Sequence, residues 1–297
     1  MSDVRIIQAG TSEGSFSDGA EQGPAAMLAA GLERLLQQSG LKTELVDIPT
    51  VEPHTQSAHD GVRQARSLVP WLQAVLAATL RGSSGRALTL GGDHSVAIPS
   101  LMATKRRYRE AVCVYIDAHP DSNDIASSPT GNLHGMPLRV VTGEVLADQF
   151  QGPYFRPDEL CFIGIKDIDD AEAEWIARHG VRAYTMDTVI ERGIASILQD
   201  VQAWIAHRPL HVSFDIDVID SQYAPGTGIR NAGGLTYREA DYLARRLGAL
   251  RPVAVDVVEL NPARDLSGQT TRLAVELAVA LLGGKWSEYD RYLESEH

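Results

Sequence analysis

The chain has 297 residues, of which 44% are hydrophobic and 22% are charged, and this composition is that of a globular protein with a large core. Asp and Glu outnumber Lys and Arg by 39 to 27, so the formal net charge is −12. An acidic chain without a basic face argues against nucleic acid and anionic membranes as partners, and fits better with a small cationic substrate.

Short apolar, β-branched runs alternate with longer amphipathic stretches along the chain. They predict strands at residues 4–9, 42–47, 87–90, 112–117, 160–165, 181–185, 210–215 and 253–258. Helices are predicted at residues 24–38, 61–80, 170–178, 237–247 and 273–282, the first of them opened by Pro24 and followed by Gly40. Regular alternation of this kind predicts one α/β domain over residues 1–297, with helices on both faces of a parallel sheet.

Three segments have no regular pattern and are long for a compact domain: residues 50–60, 118–134 and 218–234. Irregular loops of such length are usually functional. Two of them follow predicted strands that end in acidic residues, so we expect functional residues there.

The remaining global features indicate a reducing compartment. Cys113 and Cys161 lie far apart inside apolar runs, so we expect two buried thiols rather than a disulfide. The first ten residues lack the basic and apolar regions of a signal peptide, and no apolar run reaches the roughly 18 residues of a membrane span. We therefore expect a cytoplasmic protein that does not enter membranes.

Unusual polar residues follow five of the predicted strands, at the sheet edge where ligands bind in open α/β folds. They are Gly91-Gly92-Asp93-His94-Ser95, Asp117-Ala118-His119-Pro120-Asp121, Lys166-Asp167-Ile168-Asp169, Asp215-Ile216-Asp217 and Glu259. In an extended chain, a spacing of two residues places Asp117, His119 and Asp121 on one side, and Asp215 and Asp217 likewise.

This density of carboxylates predicts a metal centre, because unneutralised acids would repel one another and take up protons. Carboxylate and imidazole ligands without cysteine favour Mn²⁺ over a structural Zn²⁺. Four Asp and two His are more than one ion uses, so we expect two ions that share carboxylates. A lone Asp after a strand is more often a cap or turn residue, but three such motifs together argue against that interpretation.

With these motifs the chain resembles the arginase–agmatinase (ureohydrolase) family. The resemblance spans essentially the whole chain and also includes Glu21-Gln22-Gly23-Pro24, Gly131-Asn132-Leu133-His134-Gly135, Gly233-Gly234-Leu235-Thr236 and Glu259-Leu260-Asn261-Pro262. It implies a three-layer α/β/α sandwich with a central parallel sheet of roughly eight strands. It also implies a homo-oligomer, trimer or hexamer, and a hydrolase that cleaves a guanidino group by attack of a hydroxide bridging two Mn²⁺ ions.

The resemblance also assigns roles to individual residues. The metal ligands would be His94, Asp117, His119, Asp121, Asp215 and Asp217. His134 matches the histidine that moves a proton, and Glu259 the carboxylate that orients the guanidinium. These roles suit the residue types, because a carboxylate pairs with guanidinium N–H groups and an imidazole titrates near neutrality. Together with Asp121, these two residues form the expected catalytic set.

The segment between Asp117 and His134 resembles arginases more than agmatinases. By that resemblance, Asn123 and Thr130 would hold the α-carboxylate of L-arginine, and Asp169 its α-amino group. The chain departs from the family at Ile229-Arg230, where arginases have Thr-Pro, and the missing hydroxyl leaves the guanidino substrate open.

The leading hypothesis is a dimanganese arginase that forms L-ornithine and urea. Agmatinase or another guanidino-acid ureohydrolase, such as a guanidinobutyrase, is the alternative within the class. Outside the class, a binuclear metallophosphatase and a non-catalytic binding relative remain. A phosphatase would need clustered cations for its substrate, and the sequence shows none.

Overall fold

Eight parallel strands form one sheet in the computed structural model, which describes residues 2–15, 18–48, 61–81 and 85–284. The strands are β1 (Val4–Ala9), β2 (Thr43–Asp47), β3 (Arg86–Gly91), β4 (Val112–Ile116), β5 (Leu160–Ile165), β6 (Arg182–Thr185), β7 (Leu210–Asp215) and β8 (Ala254–Val258). Their order across the sheet is β2-β1-β3-β8-β7-β4-β5-β6. All eight predicted strands are confirmed, and each begins and ends within one residue of the predicted position.

Helices cover both faces of the sheet. They are α1 (Gly23–Ala29), α2 (Leu32–Gln38), α3 (Gly61–Arg81), α4 (Ala97–Arg107), α5 (Pro137–Val141), α6 (Asp170–His179), α7 (Met186–Arg192), α8 (Ile194–Ile205), α9 (Tyr237–Gly248) and α10 (Gln269–Leu281). Buried residues of α1, α2 and α7 to α10 pack in one cluster, and those of α3 to α6 in another. Successive side chains of β4 point to opposite faces of the sheet, since Val114 belongs to the first cluster and Tyr115 to the second. The predicted three-layer α/β/α fold is therefore confirmed.

The single helix predicted over residues 24–38 is wrong, because the chain forms α1 and α2 there. Gly31 separates them with a φ of 95°, a left-handed backbone conformation that glycine adopts without steric cost. Helices α4, α5, α7 and α8 were not predicted. In α4, nine of the eleven residues are buried, so no polar face produces a helical period in the sequence.

Two of the three long irregular segments lie at the carboxyl edge of the sheet. One follows β4, and the other follows β7 and is tied down by bridges from Ile219 to Leu235 and from Thr227 to Leu260. The loop predicted at residues 50–60 lies outside the described residues. The cysteine prediction is confirmed, since Cys113 and Cys161 are buried, free thiols. Among the described helices, none is long and apolar enough to cross a membrane.

Candidate functional site

Four strands at the centre of the sheet deliver the predicted site residues to one place. Strands β3, β8, β7 and β4 are consecutive neighbours, and the loops at their carboxyl ends carry His94, Glu259, the Asp215–Asp217 pair and the Asp117–Asp121 motif. A cleft of about 400 Å³ opens above them and is lined by residues from all four loops. Sequence-distant motifs thus converge because the strands that precede them are adjacent and parallel.

The first group of ligand-type side chains surrounds His94. Its Nδ1 lies 2.9 Å from Asp117 Oδ2, 3.0 Å from Asp215 Oδ2 and 3.2 Å from Asp121 Oδ2. All four residues are buried. Among the described residues, His94, Asp117 and Asp215 form one of two groups tight enough to hold a metal ion.

The second group surrounds His119. Its Nδ1 lies 3.1 Å from Asp217 Oδ2 and 3.4 Å from Asp117 Oδ1. Asp117 belongs to both groups and turns one carboxylate oxygen towards each histidine. This is the arrangement expected of a carboxylate shared between two ions.

Backbone and hydroxyl groups fix these side chains in place. The amide of His119 donates to Asp117 Oδ1 at 2.8 Å, and the amide of Asp217 donates to Asp215 Oδ1 at 2.7 Å. The two-residue spacing seen in the sequence therefore also forms Asx turns that orient the acids. On the other side of the first group, His94 Nε2 lies 2.9 Å from Ser213 Oγ.

Two buried atoms of the first group have the properties expected of metal ligands. His94 Nδ1 and Asp117 Oδ2 are buried and neither makes a hydrogen bond with acceptable geometry, although they lie 2.9 Å apart. Buried polar atoms without a partner are rare and costly. If His94 Nε2–H donates to Ser213, the Nδ1 lone pair faces the carboxylates, as a metal ligand requires.

The electrostatics of the acids agree with this geometry. Burial raises the pKa of Asp117 to about 6, and the charges of Asp121 and Asp217 add to the effect. Burial and the same kind of repulsion raise the pKa of Asp215. Burial acts in the same direction on Asp217, but the hydrogen bond and charge of His119 outweigh it and lower the pKa of that acid. A bound cation would stabilise all of these carboxylates in their charged form.

His134 and Glu259 lie beside the first group. Glu259 Oε1 accepts a hydrogen bond from the His94 amide at 2.9 Å and lies 3.4 Å from His134 Nδ1. Burial disfavours the charged imidazole, but the hydrogen bond and charge of Glu259 outweigh it and raise the pKa of His134 to about 9. Glu259 therefore stabilises the protonated form of this imidazole.

The three residues predicted to bind the amino-acid end of the substrate all line the cleft, as Glu259 does. Asn123 is buried, whereas Thr130 and Asp169 are exposed at the mouth. Asn123 Nδ2 donates to Asp169 Oδ2 at 2.8 Å, so these two side chains meet. Thr130 Oγ1 accepts a hydrogen bond from the Asn132 amide at 3.2 Å.

The two departures from the family pattern occupy different places. Ile229 lines the cleft and is 45% exposed. Arg230 is exposed, donates from Nε to the Pro225 carbonyl at 3.0 Å, and is not part of the cleft wall. The described residues that line the cleft include no Lys or Arg, while seven of them are Asp or Glu. Such a cleft suits a cation and would repel a phosphoester.

Several supporting residues were missed from the sequence. Asp93 accepts hydrogen bonds from the Gly14 and Ser95 amides, and the Gly14 carbonyl accepts from the His134 amide at 3.2 Å. Glu172 accepts from the amides of Ser122 and Asp169, and burial raises its pKa to about 7. The Asp169–Glu172 spacing is that of a capping box at the start of α6, and this signal was present in the sequence.

Comparisons with known proteins agree with the fold. The model of the arginase family matches residues 2–283. The arginase of Staphylococcus aureus strain MRSA252 is 32% identical over 297 aligned positions, which cover 94% of this chain and 97% of the relative. The solved arginase of Bacillus caldovelox has a TM-score of 0.87 at 30% identity, covering 97% of this chain and 100% of that one.

A third match has a different name. The proclavaminate amidino hydrolase of Streptomyces clavuligerus has a TM-score of 0.75 at 29% identity, covering 95% of this chain and 91% of that one. Fold and site together define a hydrolase that acts on linear amidines. The chain belongs to the arginase family.

Proposed function

We propose that the protein is a dimanganese arginase that hydrolyses L-arginine to L-ornithine and urea. The observation that carries the proposal is Asp117, whose two carboxylate oxygens face His94 and His119 at the base of an acidic cleft. The ligands of the two ions would be His94, Asp117, His119, Asp121, Asp215 and Asp217. This set of hard oxygen and imidazole donors without thiolate suits Mn²⁺.

The two cations, when bound, lower the pKa of water at the site and so supply a hydroxide nucleophile at neutral pH. The protein must then place the guanidinium carbon, which is a poor electrophile, close to that nucleophile. Proximity and orientation of this kind can supply about 7–11 kcal/mol of the barrier.

Glu259 is placed to orient the guanidinium. Its Oε1 is engaged by the His94 amide and lies near His134, which leaves Oε2 as the oxygen for the substrate. A carboxylate oxygen accepts charge-assisted hydrogen bonds from guanidinium N–H groups, so Oε2 of Glu259 would orient the reacting carbon.

His134 is placed to complete the reaction with a proton. Breaking the bond between the guanidino carbon and the side-chain nitrogen leaves an amine that must be protonated. The hydrogen bond and charge of Glu259 raise the pKa of His134, so this imidazole is suited to hold a proton and donate it to the leaving amine.

Asn123, Thr130 and Asp169 favour an amino acid over agmatine as the substrate. An amide and a hydroxyl are donors for an α-carboxylate, and Asp169 can pair with an α-ammonium group. Agmatine keeps the ammonium group at that end but has no carboxylate. By the same family resemblance we also propose that the protein is cytoplasmic and forms a homo-oligomer, either a trimer or a hexamer. Sedimentation of the purified protein would test the oligomeric state.

The decisive experiment measures urea release from L-arginine, agmatine and 4-guanidinobutyrate after the metal-free protein is incubated with Mn²⁺. We expect L-arginine to be the best substrate and L-ornithine to form in equal amount. Agmatine or 4-guanidinobutyrate as the better substrate would contradict the arginine assignment. Phosphate release from a generic phosphoester without urea would contradict the proposed class.

A further inference from the structure

Tyr115 contacts two of the proposed metal ligands, although its position in a buried strand is that of a core aromatic residue. The side chain is fully buried. Its ring stacks on the His94 imidazole, with centroids 4.5 Å apart and an angle of 6° between the planes. Its hydroxyl donates a hydrogen bond to Asp121 Oδ2 at 2.8 Å.

Asp121 is held differently from the other acids of the site. Asp117 and Asp215 each accept a hydrogen bond from the backbone amide two residues further along the chain. The amide two residues after Asp121 belongs to Asn123, and it donates to the Gly135 carbonyl instead. The Asp121 backbone has a φ of 49°, in the left-handed region, which takes this acid out of the turn geometry of the other two. The Tyr115 hydroxyl supplies the donor in its place.

The geometry gives this hydroxyl a direct relation to the first metal group. The same Asp121 oxygen that accepts from Tyr115 lies 3.2 Å from His94 Nδ1. A phenol has an ordinary pKa of about 10, so it is a donor at neutral pH. One side chain therefore sets the direction of an acid and, by stacking, the plane of an imidazole. Phe162 meets the Tyr115 ring edge-on at 6.0 Å and restricts its movement.

We propose that Tyr115 is a positioning residue that orients Asp121 and His94 for a divalent cation. This inference rests on the proposed function, because it assumes that the site binds metal. Partners of metal ligands act by orienting them, and their loss typically costs about 10–100-fold in metal affinity or activity.

The test compares Tyr115→Phe with wild type and with Tyr184→Phe as a matched control. Tyr184 is also a buried tyrosine of the sheet, but its hydroxyl accepts from Arg182 at 3.2 Å and not from a site residue. Metal affinity is measured by competition with a chromophoric chelator, and the ligand field by the visible spectrum of the Co²⁺-loaded protein.

We expect Tyr115→Phe to bind one of its two ions about tenfold more weakly and to alter the Co²⁺ spectrum. Tyr184→Phe should change neither readout. A Tyr115→Phe protein with a lower melting temperature but unchanged affinities and an unchanged spectrum would show that Tyr115 serves only packing, and would overturn the proposal.

A double-mutant cycle with Asp121→Ala separates positioning from general damage. If the hydroxyl acts through Asp121, Tyr115→Phe should weaken metal binding much less in the Asp121→Ala background, which has no acceptor for the hydroxyl, than in wild type. Equal losses in both backgrounds would contradict the inference.

A measurement on the wild-type sequence covers the case in which Tyr115→Phe does not fold. Metal binding at Asp121 draws electron density from the carboxylate that the phenol contacts. The infrared difference spectrum between loaded and metal-free protein should therefore contain a tyrosine C–O band that shifts with ¹³C-labelled tyrosine, and its absence would overturn the inference. Wild-type protein that binds no divalent cation would instead contradict the proposed function itself.

Discussion

The side-chain amide of Asn123 donates a 2.8 Å hydrogen bond to Asp169 at the mouth of the cleft. Asn123 comes from the loop after β4, and Asp169 directly precedes α6. A group suited to an α-carboxylate and a group suited to an α-ammonium are thus held side by side. The two charges of an α-amino acid are also adjacent, on one carbon atom.

This contact predicts how substrate preference responds to Asn123→Ala. The kcat/KM for L-arginine should fall about 10–100-fold, since a hydrogen bond to a charged group contributes about 1.5–3 kcal/mol. The kcat/KM for agmatine should stay close to that of wild type, because agmatine has no carboxylate. Steady-state kinetics with both substrates check this, and an equal loss for both would contradict the role given to Asn123.

Replacing a ligand of the second group should release the bound metal. In His119→Ala and in Asp217→Ala, the second group loses one of its members, so we expect loss of tightly bound Mn²⁺ and of urea formation. The manganese content after dialysis is measured by elemental mass spectrometry. His207→Ala, at an exposed histidine, is the matched control and should keep its metal. Unchanged metal content in both ligand variants would refute the site assignment.

The proton-donor role of His134 predicts a different pattern. His134→Asn should lower kcat by roughly 10²–10⁴ while the metal content stays at the wild-type level. The control is His179→Asn, since His179 lies at the end of α6 and contacts the Trp175 carbonyl. If His134→Asn lost its metal, the effect on kcat would not report on proton transfer, and the role would have to be given up.

Both thiols should be inert in the folded protein. Burial raises the pKa of Cys161 to about 12, and it raises the pKa of Cys113 well above its ordinary value. Little reactive thiolate therefore exists at pH 8. We expect no reaction with Ellman's reagent in the native state and two equivalents after unfolding. Rapid release of one equivalent from the native protein would show that one thiol is accessible.

The interior of the sheet contains a polar cluster whose loss should be costly. Asp256 lies 2.8 Å from His211 Nε2 and accepts a hydrogen bond from Ser100, and all three residues are buried. In Asp256→Ala, His211 Nε2 loses its partner and Ser100 loses one of its two, so the free energy of unfolding should fall by about 2–5 kcal/mol.

Urea denaturation of the metal-free protein measures this loss. Asp241→Ala is a suitable control, because Asp241 pairs with Arg245 one turn along α9 and such pairs contribute about 0.3–0.5 kcal/mol. A loss of under 1 kcal/mol in Asp256→Ala would mean that the cluster adds little to stability.

The strands were predictable because each is a short apolar run, and burial on both faces of a parallel sheet requires that composition. Their order was not predictable, since the insertion of β8 between β3 and β7 depends on contacts between segments far apart in the sequence. Helix α4 was missed for a related reason, because a helix buried on nearly all sides has no polar face.

At the site, residue spacing was sufficient to predict the acidic ligands, but it did not predict the residues that position them. The two-residue spacing of Asp117 and His119 predicted a shared side, and both lie at the second metal group. Tyr115 belongs to the same strand, yet a buried aromatic residue in an apolar run is normally core. Its contact with Asp121 exists only because the loop after β4 turns back over the strand end, and the sequence carries no local signal for that path.

The position of β8 also bears on when the protein acquires its site during synthesis. This strand is the last of the eight in the chain, yet it separates β3 from β7 in the middle of the sheet. A nascent chain that ends before Ala254 therefore cannot bring the His94 loop beside Asp215, although both are already made. Metal binding by His94, Asp117 and Asp215 would then wait for the C-terminal strand, and a fragment lacking β8 would contain all six proposed ligands without bringing His94 beside Asp215.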